Sequence, residues 1–159
     1  MPRIILKTII NSSNIQMVFD LHRSIDLHKL STIKTKEKAV AGKTSGLISL
    51  DETVTWSAKH FGITQELTTK ITDFNAPVFF VDEMIKGAFK SFRHEHHFKI
   101  RENKVLVTDI FDYKAPFGVL GNIADVLFLK NYMKNFLKER NRIVKNFAET
   151  DKWKKVLEL

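Results

Sequence analysis

Residues 104–147 read KVLVTDIFDYKAPFGVLGNIADVLFLKNYMKNFLKERNRIVKNF, and the hydrophobic period changes partway along them. KVLVTDIFDYKA (104–115) alternates apolar and polar residues with a period of two, as a strand with one buried face does. Pro116 and Gly118 end that strand. From about Val119 to Phe147 the period becomes ~3.6, with Ile123, Leu127, Phe128, Phe136, Leu137, Ile143, Val144 and Phe147 in one stripe between lysines, arginines and asparagines. A helix of about 29 residues would be ~43 Å long. It needs an apolar surface to lie on, and the segments before it supply one.

Upstream, RIILKTII (3–10) reads as a strand, and Asn11, Ser12 and Ser13 are candidate N-caps. NIQMVFDLH (14–22) and IDLHKLS (25–31) read as two short helices. Residues 32–46 are polar and basic and read as a loop. The AGKTSG within that loop is not a phosphate-binding P-loop, because Glu37 stands where that motif needs glycine. Residues 51–61, 62–74, 78–89 and 91–100 then alternate, with Gly62, Asn75-Ala76-Pro77 and Glu102-Asn103-Lys104 as breaks. The residues thus predict a strand, two short helices, about five antiparallel strands and one long helix. A strongly curved sheet with its apolar face on the long helix satisfies the layer rule. A single domain over 1–159 is expected, with its core at 3–148 and a tail at 149–159 carrying Trp153, Val156 and Leu157.

Composition narrows the function classes. The absence of cysteine removes disulfides, thiolate metal ligands and a cysteine nucleophile. No apolar run approaches the ~20 residues that span a bilayer, and MPRIILKTII is too interrupted for a signal peptide, so a cytoplasmic location is expected. The net charge is +8. Nine Lys or Arg fall between Lys130 and Lys155 against three acids. No nucleic-acid motif accompanies them, so specific nucleic-acid binding is not expected, while weak contact with an anionic surface is compatible with the charge.

Strand parity sorts the side chains. The more apolar parity puts Val54, Trp56, Ala58 and His60 inward, then Ile63, Gln65, Leu67, Thr69 and Ile71. It next puts Phe79, Val81, Glu83 and Ile85 inward, with Asp82 outside. Phe92, His94, His96, Phe98 and Ile100 follow, with His97 outside, and then Val105, Val107, Asp109, Phe111 and Tyr113. The inner face therefore collects His60, His94, His96, Glu83, Asp109 and Tyr113. Buried carboxylates require partners, so Glu83 and Asp109 are expected beside His94 and His96, as a structural network or as the polar end of a ligand pocket. A cation held by His94, His96 and one carboxylate is the lesser reading, since no metal signature is matched. No serine stands in a nucleophile elbow.

Three segments resemble a known superfamily: VTWSAKHFGI (54–63), FVDEMIKGAFKSFRHEHHF (80–98) and VTDIFDYKAPFGVLG (107–121). They are similar to the START-like, birch-pollen-allergen-like superfamily also called SRPBCC, in particular its small bacterial members described as ligand-binding or polyketide cyclase-like. The matching positions are Trp56, His60-Phe61-Gly62, Asp82-Glu83, Phe92, His94, His96, Phe98, Thr108-Asp109, Tyr113, Pro116 and Gly118. Phe92 stands where tryptophan is common. The resemblance implies an α+β helix-grip fold, a curved seven-stranded antiparallel sheet wrapped around the C-terminal helix with two short helices after the first strand. It also implies a hydrophobic cavity between sheet and helix.

The expected function is binding of a hydrophobic small molecule such as a lipid or polyketide, as carrier or sensor, without cofactor or metal, by a monomer or a dimer. The expected cavity residues are Trp56, His60, Leu67, Phe79, Glu83, Phe92, His94, His96, Asp109, Phe111, Tyr113 and Phe128. Two alternatives stand beside this. One is a cyclase- or dehydratase-like enzyme using His94 or His96 with Glu83 or Asp109. The other is a regulatory module using the basic C-terminal helix.

Overall fold

A computed structural model describes residues 1–157. The first strand, β1 (Arg3–Ile10), leads into α1 (Ile15–His22) and α2 (Ile25–Ser31). Six strands follow: β2 (Lys38–Gly42), β3 (Thr53–His60), β4 (Ile63–Asn75), β5 (Phe79–Lys86), β6 (Ser91–Arg101) and β7 (Lys104–Lys114). Then come α3 (Gly118–Ala124), a π-helical segment (Asp125–Leu129) and α4 (Lys130–Ala148). All seven strands form one sheet in the order β1-β7-β6-β5-β4-β3-β2, antiparallel throughout. The architecture is α+β, with the seven-stranded antiparallel sheet and long C-terminal helix of a helix-grip fold.

Local chemistry explains the boundaries. Asn14, rather than the three residues before it, caps α1 by accepting from Met17 N–H at 3.0 Å. Ser24 caps α2 by accepting from Leu27 N–H at 3.1 Å. Phe61 and Gly62 both have positive φ, as a two-residue hairpin turn between twisted strands requires. β2 lies within the stretch expected to be a loop. Only Ala39 of its five residues is even half-buried, so it has no apolar alternation to reveal it. The tail docks instead of trailing: Val156 is buried, with Trp153 and Leu157 packed beside it. The expected tail also included Glu158 and Leu159, which lie outside the described residues.

The apolar interior has two parts. At one end α1 seals the sheet, where Phe19 meets Phe74, Phe80 and Phe98 edge-to-face at 5.2–5.5 Å between ring centroids. At the other end Phe92, Phe111, Tyr113 and Leu137 form a second cluster. Leu137, Arg140, Asn141, Val144 and Ala148 are the buried face of α4. Ile123, Leu127 and Phe128 do not share it, although the sequence pattern places them in the same stripe; all three are exposed. The π turn between α3 and α4 is the cause. One extra residue per turn rotates the preceding side chains by about 100° relative to an unbroken α-helix.

The parity of β5 also differs from expectation. Phe80 pairs with His96 and Asp82 with His94, so Phe80 and Asp82 share the inner face, and Met84 packs on the Phe92–Phe111 cluster. Phe79, Val81 and Glu83 stand opposite His97, Glu95 and Arg93 on the outer face. Ile85 is exposed. The sequence FFVDEMI carries apolar residues at both parities, and Val81 is only 1% exposed despite its outer position. Burial on both faces of this strand removes the signal on which parity depends.

Candidate functional site

At the Phe92 end, sheet and helix enclose a cavity of about 400 Å³. That lies within the size range of small-molecule sites. Trp56, Leu67, Phe92 and Phe111 wall it from the sheet, and Tyr132, Met133, Phe136 and Leu137 wall it from α4. Phe61 at the β3–β4 turn and Phe117 before α3 also line it, although they are 58% and 84% exposed. These two rings mark where the cavity meets solvent.

Not every expected position contributes. Trp56, His60, Leu67, Phe92, His94 and Phe111 line the cavity. Phe79 and Glu83 lie on the outer face, where Glu83 is 3.7 Å from Arg93 Nη1. Phe128 is half-exposed and packs on Phe61 instead. Tyr113 is fully buried behind the lining, its hydroxyl donating to Asp125 in the π segment. His96 and Asp109 are likewise behind the wall, below His94.

These last residues form a buried polar network. Asp109 Oδ1 accepts from His94 Nε2 at 3.0 Å, and Asp109 Oδ2 accepts from Asn141 Nδ2 of α4 at 2.6 Å. His96 Nε2 bonds Asp82 Oδ2 at 2.9 Å. His96 Nδ1 is 2.9 Å from Asp109 Oδ1, an ion-pair distance without hydrogen-bond alignment. The network therefore ties β5, β6 and β7 to α4. Asp82 occupies the position that parity assigned to Glu83.

Electrostatics divides the histidines. Burial pushes His94 down, and neighbouring His96 pushes it further, against the pull of Asp109 and Asp82. Burial also opposes the charge on His96, but Asp109 and Asp82 outweigh it and His96 is raised above the usual histidine value. Burial alone would raise both carboxyls. The two imidazoles reverse this, leaving Asp82 lowered and Asp109 well below the ordinary carboxylate range. His22, buried at the C-terminal end of α1, falls to about 3 through burial. Its Nδ1 lies 2.8 Å from the Val18 carbonyl. A carbonyl can only accept, so Nδ1 carries the proton.

A second polar group sits on the β2–β3 side. Glu37 Oε2 is 2.5 Å from His28 Nε2, and Glu37 Oε1 is 3.9 Å from His60 Nε2. His60 Nδ1 bonds the Tyr132 hydroxyl at 2.7 Å, and His28 packs on Trp56 with ring centroids 4.1 Å apart. His28, Glu37, Tyr132, Met133, Phe136 and Arg140 are lining residues that strand parity misses. For the α4 residues a signal exists: Leu137, Arg140, Asn141 and Val144 repeat at helical spacing. For Glu37, within a stretch without periodicity, there is none.

Asp82, His94 and His96 each offer a ligand atom, all within 4.8 Å of one another. These are the residues that could hold a cation, with Asp82 as the carboxylate in place of the expected Glu83 or Asp109. A cation there would have to displace the His96–Asp82 hydrogen bond and would bind less as the imidazoles protonate.

No family model matches the chain, and no curated protein matches it. Solved structures do. A protein from Thermus thermophilus superposes with a TM-score of 0.71 at 14% identity, covering 92% of this chain and 99% of its own. Ginseng major latex-like protein 151 from Panax ginseng gives 0.68 at 17% identity over 94% and 98%. A START superfamily protein from Mycobacterium smegmatis gives 0.69 at 11% identity over 92% and 97%. At these identities the likeness is one of fold. The chain has the START-like, birch-pollen-allergen-like helix-grip fold. Among the described residues no helix is long and apolar enough to cross a membrane.

Proposed function

We propose that the protein binds a hydrophobic small molecule between sheet and long helix, as a carrier or sensor. The observation that carries this reading is the cavity of about 400 Å³, walled mainly by aromatic and aliphatic side chains. Burying apolar surface there is worth about 25 cal/mol per Å². A helix-grip interior needs no such space for stability, and unfilled volume costs packing contacts. The exposed Phe61 and Phe117 rings provide an apolar doorway for the guest.

The test uses the purified protein. Mass spectrometry under native conditions should reveal a co-purifying apolar compound, and a fluorescent apolar probe should bind one-to-one and be displaced by it. A protein that arrives empty and binds no apolar probe overturns the reading.

One observation favours a second reading. His94 lines the cavity and bonds the buried carboxylate of Asp109, the geometry of an oriented general base. Its lowered pKa leaves it neutral, and hence able to accept a proton, at neutral pH. A cyclase- or dehydratase-like reaction would then use His94 with Asp109 and without Glu83. Unchanged turnover of an identified substrate by His94→Ala would end this reading.

A further inference from the structure

The sequence holds 26 lysines and arginines, and among the described residues Arg140 is the only one of them in the cavity lining. It is 5% exposed, and its guanidinium remains charged at any ordinary pH. Buried charges are normally paired. No carboxylate lies within ion-pairing distance of Arg140 among the described residues. Its protein contact is a long hydrogen bond, 3.4 Å from Nη2 to the His22 carbonyl. Its Nε is buried and has no hydrogen-bond partner. Five N–H donors in a fixed fork are thus almost unused.

The surroundings point those donors at a guest. Arg140, Asp82, His94, His28, Trp56 and Thr69 line both the main cavity and a smaller one of about 80 Å³ that adjoins it. Arg140 therefore stands in the wall between the two spaces. Of the carboxylates in the main cavity wall, Glu66 is solvent-exposed, and Asp82 and Glu37 are already held. His96 binds Asp82 at 2.9 Å and His28 binds Glu37 at 2.5 Å. Asp109, behind the wall, is shared by His94 and Asn141. Arg23, in the wall of the smaller space, is paired with Asp20 at 2.8 Å. Arg140 alone is left with charge and donors to spend on a ligand.

We infer that Arg140 anchors the head group of the ligand, and that the ligand is a carboxylic acid with an apolar tail. The carboxylate accepts two N–H bonds from the guanidinium fork. The tail lies along Phe89, Phe92, Phe111 and Phe136 toward Phe61 and Phe117. This assignment rests on the ligand-binding reading above and specifies its chemistry.

The experiment compares dodecanoate with its methyl ester and with dodecanol, which share a tail and differ in the head. Trp56, in the lining, supplies the fluorescence signal, and calorimetry checks it. A charge-assisted bidentate contact should favour the acid by about tenfold or more. In Arg140→Met that preference should collapse toward one, with helical content and cooperative melting retained. Equal affinity of the wild type for acid and ester overturns the anchor while leaving the cavity reading intact. Loss of acid and ester in equal proportion in Arg140→Met also overturns it. No binding of any of the three overturns the cavity reading, and the anchor falls with it.

Discussion

His94 on β6 and Asp109 on β7 are joined diagonally across the sheet, Nε2 to Oδ1 at 3.0 Å, because His96 rather than His94 is the register partner of Asp109. One carboxylate thereby engages two histidines of the same strand while its second oxygen takes Asn141 from the helix. This single residue couples sheet register to helix position. Asp109→Ala leaves His94 Nε2 without an acceptor, Asn141 with only its long 3.4 Å bond to Thr8 Oγ1, and His96 without half its counter-charge. The expected loss is about 3–5 kcal/mol, as for other broken buried pairs. Urea denaturation measures it, and a loss below about 1 kcal/mol would mean that the network does not hold sheet to helix.

Stability should depend on pH through His22. Its pKa falls from 6.5 unfolded to about 3 folded, so between these values the unfolded chain binds the proton and the folded one does not. Stability then rises with pH across that window and is lost as pH falls through it, by up to about 1.4 kcal/mol per pH unit. His96 has the opposite sign. Its raised pKa contributes stability below the ordinary histidine value and loses it as pH rises through the folded value. His22→Gln should flatten the acid limb of a melting-temperature profile while leaving the neutral limb's slope in place. An unchanged acid limb would show that His22 is not buried neutral.

Asp82 and Glu83 are adjacent in sequence and opposite in environment. Asp82→Ala removes the partner of His96 Nε2 and should cost about 1–3 kcal/mol, the penalty for a stranded buried donor. Glu83→Ala breaks only an exposed contact to Arg93 and should change stability by less than about 1 kcal/mol and ligand affinity not at all. Chemical denaturation of the two variants side by side discriminates them. A larger effect at Glu83 would reverse the strand's parity.

That pair also shows what was legible in the sequence. β6 and β7 alternate cleanly, so His94, His96, Asp109 and Phe111 could be assigned to the inner face from residues alone. β5 is apolar on both faces and could not be. The apolar stripe of α4 included Leu137 and Val144 of its buried face but not the polar Arg140 and Asn141 or the small Ala148, and the π turn that throws Phe128 outward leaves no mark on hydrophobic periodicity. Glu37 reaches the cavity from the residue just before β2, in a stretch without alternation. The fold was readable because it depends on many residues voting together. The site depends on single residues, and a one-residue shift of phase exchanges Asp82 for Glu83.

Phe61 and Phe117 form the edge of the opening rather than its floor. Replacing both with serine removes exposed apolar surface and should alter stability by less than about 1 kcal/mol. It should slow uptake of an apolar probe more than it weakens equilibrium binding, because the rings act on the path of entry. Stopped-flow fluorescence against calorimetry separates the two effects. Equal losses in rate and affinity would place the rings in the bound complex instead.

Ala58 offers the most direct control on the cavity itself. It lies on the inner face of β3, two residues from Trp56, and is part of the lining. Its neighbours on that face, Trp56 and His60, already carry large rings, so the small side chain keeps space open between them. Ala58→Phe adds a ring into that space instead of into packed protein. Overpacking a tight core costs about 1–3 kcal/mol, but a ring entering an existing cavity gains dispersion contacts and should leave stability within about 1 kcal/mol of the wild type. Binding of dodecanoate and of its methyl ester should fall together, by about tenfold or more, because displaced volume is indifferent to the head group. Calorimetry and thermal melts on the same sample decide it. A destabilised variant that still binds both ligands would mean that Ala58 is packed against its neighbours and that the guest sits elsewhere.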